Sequence, residues 1–232
     1  MRVRVATTAV GLTAITVLAL PACSPDTTKA KPASAASARG KGPATAGQND
    51  RPLSSAALEA RLLNEGDLGT GYTRKPERPT RQDDVTVLGC PALSDLGGDT
   101  ATGGSLDFPR KAKVAFTYTS RSNSEVSEEL YSGTAAKLSE GTGRIFDAMT
   151  GCPQYQVLVG GTAIDMTTQE VAAPQLGDER WSQLLTFSTG GRENVVKQTA
   201  IRDGNVLLIV SGSPALVDLH LDRAHAKATA AR

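Results

Sequence analysis

Apolar and polar positions change rhythm several times along the chain, and the most regular stretch begins at Lys113. KVAFTYT (113–119) alternates, with Val114, Phe116 and Tyr118 on one face, which predicts a strand. Ser122 with Glu125 three residues later fits a capping box. Val126, Leu130, Thr134, Leu138, Ile145 and Met149 then recur at helical spacing to about Thr150, where Gly151 stops the run. Gly141-Thr142-Gly143 inside this run should loosen or kink the helix. Four more strands follow as a meander: TAIDMTTQEVA (162–172), RWSQLLTFST (180–189), ENVVKQTAIR (193–202) and NVLLIVSG (205–212). PQLGDE turns between the first two, and Asp203-Gly204 is a hairpin signal between the last two. Pro214 ends the meander, and the remainder predicts a helix that packs through Leu216, Leu219 and Ala226.

Upstream of Lys113 the pattern is looser. Ser54 or Ser55 can cap a short helix bearing Leu58, Leu62 and Leu63, ending near Asn64 to Asp67. Residues 73–84 are polar, contain Pro76 and Pro79, and predict an exposed loop. Val85, Val87 and Leu88 return to the core, and Leu93 and Leu96 suggest one helical turn after Cys90. Strands and helices segregate along the chain. The prediction is a single α+β domain, a curved antiparallel sheet of about five strands flanked by helices.

The N-terminus follows another logic. Arg2 and Arg4 precede an apolar stretch of 16 residues, Val5 to Leu20, which Pro21 terminates. That is short for a span, which takes about 20 residues, and charge followed by an apolar run reads as a secretory signal. Leu20-Pro21-Ala22-Cys23 resembles the lipobox of bacterial lipoproteins. The resemblance implies removal of residues 1–22 and acylation of Cys23, which then anchors the protein to the outer face of the membrane. An ordinary signal with a chance cysteine is the plainer alternative. From Ser24 to Pro52 the chain lacks Val, Ile, Leu, Met and aromatic residues, so it cannot bury enough surface to order itself. As a flexible tether its 29 residues span about 30 Å.

Charge divides along the same boundary. The tether carries five cations against Asp26 and Asp50, whereas residues 53–232 hold 18 Lys and Arg against 22 Asp and Glu. A basic tether suits anionic headgroups. An acidic domain lacks the basic footprint of a nucleic-acid binder. With Cys23 assigned to lipid, Cys90 and Cys152 are an even pair in an oxidising compartment, and a disulfide is the default over two free buried thiols.

Catalytic and metal-binding constellations are lacking in the sequence. His220 and His225 lie about 140° apart around a helix, cannot share a metal, and read as solvated positions. Ser105 sits in a loop with no histidine assigned to it. Asp83-Asp84 and Asp178-Glu179 are adjacent carboxylates whose side chains diverge. No phosphate-binding glycine loop occurs, and nothing calls for a cofactor. Aromatics are few, which singles out Tyr118, Trp181 and Phe187 on strands, with Phe116 on the same face as Tyr118. Each lines a cleft or fills the core, and Arg180 beside Trp181 offers an anion contact.

The ordered pieces ARLLNEGDLGTGY (60–72), GCPAL (89–93), VAFTY (114–118), FDAMTGCP (146–153), LGDERW (176–181) and AIRDGNVLLIVS (200–211) extend the picture. Together the chain resembles actinobacterial lipoproteins related to the extracellular sensor domain of a mycobacterial Ser/Thr protein kinase. The resemblance implies an antiparallel sheet flanked by helices, disulfides, and a cleft for a small ligand. This chain departs from the kinase sensor in having one cysteine pair in the domain, and a lipid anchor in place of a transmembrane helix and kinase. The resulting expectation is a binding module for a small or lipidic envelope ligand, with Phe116, Tyr118, Arg180 and Trp181 at its site. A structural lipoprotein that docks another envelope protein is the alternative, and a wall-directed hydrolase a further one.

Overall fold

Alternation of the kind seen at KVAFTYT recurs in nine strands rather than about five. The computed structural model describes residues 51–77, 85–97, 108–119 and 124–230. The signal segment, Cys23, the tether to Asp50, Pro79, Asp83-Asp84, Ser105 and Ser122 lie outside these residues. In chain order the elements are α1 (Ser55–Glu59), α2 (Glu65–Leu68), β1 (Tyr72–Arg74), β2 (Val85–Leu88), α3 (Pro91–Asp95), β3 (Lys111–Tyr118) and β4 (Ser124–Ser132). Then come α4 (Ala135–Thr150), β5 (Gln154–Val159), β6 (Thr162–Glu170), β7 (Glu179–Thr189), β8 (Arg192–Asp203), β9 (Val206–Gly212) and α5 (Pro214–Ala228). All nine strands form one antiparallel sheet, ordered β1-β3-β4-β9-β8-β7-β6-β5-β2. The α+β class holds.

The largest correction is at residues 124–132. Val126 and Leu130 belong to β4, not to the helix. A spacing of four is even, so it fits a strand's period of two as well as a helical turn. Val126, Glu128, Leu130 and Ser132 all point to one buried face. The helix begins only at Ala135, capped by Thr134, whose Oγ1 accepts the Lys137 N–H at 3.4 Å. Gly141 and Gly143 do not interrupt it. A Cβ on Gly141 would stand 2.8 Å from the Phe108 ring, so a close approach explains that glycine.

Smaller corrections follow the same physics. Residues 72–74 form a short edge strand, and Gln154–Val159 adds an interior strand between β6 and β2 after Cys152. The final hairpin turns on Gly204-Asn205, one residue later than expected, since Asp203 pairs with Val206. On α5, Leu219 is 67% exposed and Ala226 is exposed, while Leu216, Val217, His220, Leu221, Ala224 and Ala228 are buried. His220 is thus no solvated residue: Tyr72 Oη and its Nε2 share a hydrogen bond of 2.6 Å. His225 is half-buried, with Nε2 3.2 Å from Asp203 Oδ2.

Two helical layers cover opposite faces of the sheet, each over a different part. α1 and α5 bury one face, packing Leu58, Leu62, Leu216, Val217 and Leu221 on Val114, Phe116, Leu130, Leu208 and Val210. α3 and α4 bury the other, packing Leu93, Leu138, Phe146 and Met149 on Tyr155, Val157, Leu185, Ala200 and Leu207. Between β1 and β3 the chain travels from one edge of the sheet to the other, adds β2 and α3 there, and returns. Cys90 and Cys152 are bonded at that far edge, with Cα atoms 5.7 Å apart, and tie the excursion to the end of α4. Closing 62 residues of chain contributes about 4 kcal/mol on the chain-entropy account.

Candidate functional site

Unequal strand lengths create a large opening in the sheet. β8 runs from Arg192 to Asp203, but its partner β9 stops at Gly212, opposite Lys197. Pro214 then starts α5, which leaves the sheet. Gly212 sits at the branch with φ +147°, and a Cβ there would stand 2.2 Å from the Glu125 carbonyl oxygen. Only glycine allows β4 and the end of β9 to approach this closely. Ser213 N–H donates to Glu125 O at 2.8 Å and closes the apex. Beyond it the sheet forks, with β3 and β4 on one side and β8 and β7 on the other.

A cleft of 540 Å³ fills the fork, within the range of small-molecule sites. Phe187 and Val196 form its floor, and both pack against the core beneath α4 and α3. Ser127, Ser211 and Asn194 supply polar walls. Ser127 Oγ donates to the Ser211 carbonyl at 3.3 Å. Val195, 41% exposed, lies at the rim. Glu125 is the charged lining residue, and Lys75 Nζ neutralises it at 2.6 Å. The lining offers hydroxyls, an amide and an apolar floor. It contains no histidine or cysteine to activate those hydroxyls. Among the described residues no group of three His, Cys, Asp or Glu could hold a metal ion.

Of the aromatics singled out from sequence, Phe187 lines the cleft, and the four residues expected at the site lie elsewhere. Phe116 is 1% exposed inside the core under α1 and α5. Tyr118 shares that face, half-buried, its ring 4.7 Å from that of Tyr72. Tyr72 continues edge-on to His220, with ring centroids 5.0 Å apart. Trp181 is on the opposite face against Phe146, at 6.1 Å. Arg180 neighbours it in sequence and therefore points to the other side of the sheet. The four residues do not come together, and none of them lines the cleft. Strand alternation explains this for Phe116: Ala115, its neighbour, faces the cleft instead. Asp178 and Glu179 both bind Arg202, at 2.9 and 2.8 Å; the Gly204 N–H and then this guanidinium hold the Asp178 carboxyl below its usual range, and the guanidinium holds that of Glu179.

Apart from Phe187, a strand aromatic, the lining residues carry little signal of their own. Ser127 lies within the run whose spacing predicts a helix, and Asn194 to Val196 read as ordinary strand. The usable clue was the distance from the hairpin turn to Pro214, too short for β9 to match β8.

No protein-family model matches the chain, and no curated relative does. The solved structures give a clearer result. The extracellular domain of PknH from Mycobacterium tuberculosis superposes with a TM-score of 0.56 at 14% identity, covering 77% of this chain and 96% of that one. The chain has the fold of a mycobacterial kinase's extracellular domain. An uncharacterised protein from Mycobacterium smegmatis matches at a TM-score of 0.38 and 12% identity, over 70% of this chain and 91% of that one. Among the described residues no helix is long and apolar enough to cross a membrane.

Proposed function

We propose that the protein is an extracytoplasmic binding lipoprotein that captures an envelope ligand in the cleft at the fork of its sheet. The carrying observation is the cleft itself: an apolar floor of Phe187 and Val196 beneath walls of Ser127, Ser211 and Asn194. Convergent polar groups around an apolar patch are the usual build of a binding site. The fold shared with an extracellular domain supports the location, and Leu20-Pro21-Ala22-Cys23 supports a lipid anchor. The polar walls favour a ligand with hydrogen-bonding groups over a bare acyl chain, which would leave them unpaired. Nothing in the lining pairs a nucleophile with a base, so the cleft is suited to binding rather than turnover.

Native mass spectrometry of the full chain purified from its own host tests this reading. An added mass that disappears in Ser127→Trp, a substitution that fills the cleft, is the expected result. An added mass that persists in that variant, or turnover of a wall substrate by the purified protein, contradicts it.

A further inference from the structure

The fork has a second property, set by its backbone rather than its side chains. β8 pairs with β7 along its whole length, down to Arg192 opposite Thr189. On its other side, pairing with β9 ends at Lys197. From Arg192 to Val196 the second edge of β8 has no backbone partner among the described residues. In an antiparallel strand the N–H and C=O of one residue point the same way and those of its neighbours the opposite way. Between Glu193 and Val196, therefore, two residues bond to β7 and two present their backbone groups to the cleft.

The slot beside this edge has the width of a strand. Neighbouring strands lie about 4.8 Å apart, so β4 and β8, which flank β9, stand about 9.6 Å apart where it ends. That width suits one extended chain, and four residues of β8 edge correspond to about 13 Å of it. The side chains around the slot are also those of an acceptor. Val195 is one of three large exposed apolar residues among those described, and it sits on this edge. Charges flank this edge at Arg192, Glu193 and Lys197, but Asn194, Val195 and Val196 between them carry neither charge nor proline to blunt it.

We infer that the cleft takes an extended polypeptide segment of about four residues, which adds to β8 as a strand in the slot vacated by β9. This deepens the proposed binding role and rests on it. The backbone edge supplies register and hydrogen bonds, and the floor at Phe187 and Val196 selects an apolar side chain on alternate positions. Lys75 already neutralises Glu125 on the wall, so the lining carries no net charge and suits an uncharged segment. A second copy of this chain pairing through β8 is the competing occupant.

The test is a random heptapeptide display library panned against the full chain, followed by amide hydrogen exchange with the selected peptide, made synthetically. Exchange is expected to slow at least tenfold at alternate residues within Glu193–Val196. An otherwise identical peptide with one central N-methylated amide should bind at least tenfold more weakly. Val195→Lys, at an exposed position that leaves the core intact, should weaken binding to a similar degree. Protection elsewhere, protection by self-association without peptide, or no selected peptide at all overturns the inference. If a co-purified mass is still lost in Ser127→Trp while no peptide protects β8, cleft capture stands and strand addition fails. If a peptide protects β8 but the co-purified mass survives in Ser127→Trp, strand addition stands and capture of that mass in the cleft fails.

Discussion

Glu128 is buried to 1% exposure, on the β4 face that packs against α1 and α5. One oxygen accepts the Leu63 N–H at 2.6 Å, and Oε1 has no hydrogen-bond partner. Burial raises its pKa to about 7, against a smaller lowering by the Leu63 N–H. A carboxyl raised in the folded state binds protons that the unfolded chain has already lost. Its contribution is therefore fully present below pH 4.5 and is lost as pH rises through about 7, a loss of about 3 kcal/mol. Chemical denaturation at pH 5 and pH 8 should show this slope, and Glu128→Gln, which keeps an acceptor for Leu63, should flatten it. An unchanged slope in the variant would assign the effect to another group. Phe116 belongs to the same core. Its truncation to Ala should cost about 3–5 kcal/mol, typical of a buried aromatic, without altering cleft occupancy in the remaining folded protein.

At the scale of elements, the disulfide and the fork both follow from how the chain is routed. β2 and α3 are reached by a long excursion and held at the far edge by the Cys90–Cys152 bond. Cys90→Ser with Cys152→Ser should lower stability by about 2–4 kcal/mol and speed hydrogen exchange first in β2 and α3. Uniform loss across the sheet would contradict an anchoring role. The meander from Thr162 to Gly212 was legible in the sequence because each strand alternates and each break carries glycine or proline. The disulfide was legible from cysteine parity. β4 was not, because Val126 and Leu130 satisfy both periods, and β1 is too short to show one. The cleft was hidden for a different reason. It arises from the mismatch between β8 and β9, which is a property of pairing rather than of any residue. The aromatics stand out because they are rare, and Phe187 does line the cleft, whereas Phe116 fills the core and Trp181 packs on Phe146.

On the scale of the whole molecule, the proposed lipid anchor at Cys23 would hold a domain with an open fork in its sheet at the membrane. Stable anchoring takes two acyl chains, and the described residues contain no spanning helix to replace them. Cys23→Ala should therefore leave the membrane fraction or stay unprocessed, and wild-type fractionation would refute the anchor. The central claim is the position of the site. Chemical-shift mapping of the isotope-labelled full chain, titrated with the small-molecule and peptide fraction of its host's envelope, addresses it most directly. The account predicts shifts clustered at Ser127, Phe187, Asn194, Val195, Val196 and Ser211, with Tyr72, Phe116 and Tyr118 unmoved. Shifts centred on Tyr118 and its neighbours, with the fork silent, would contradict it.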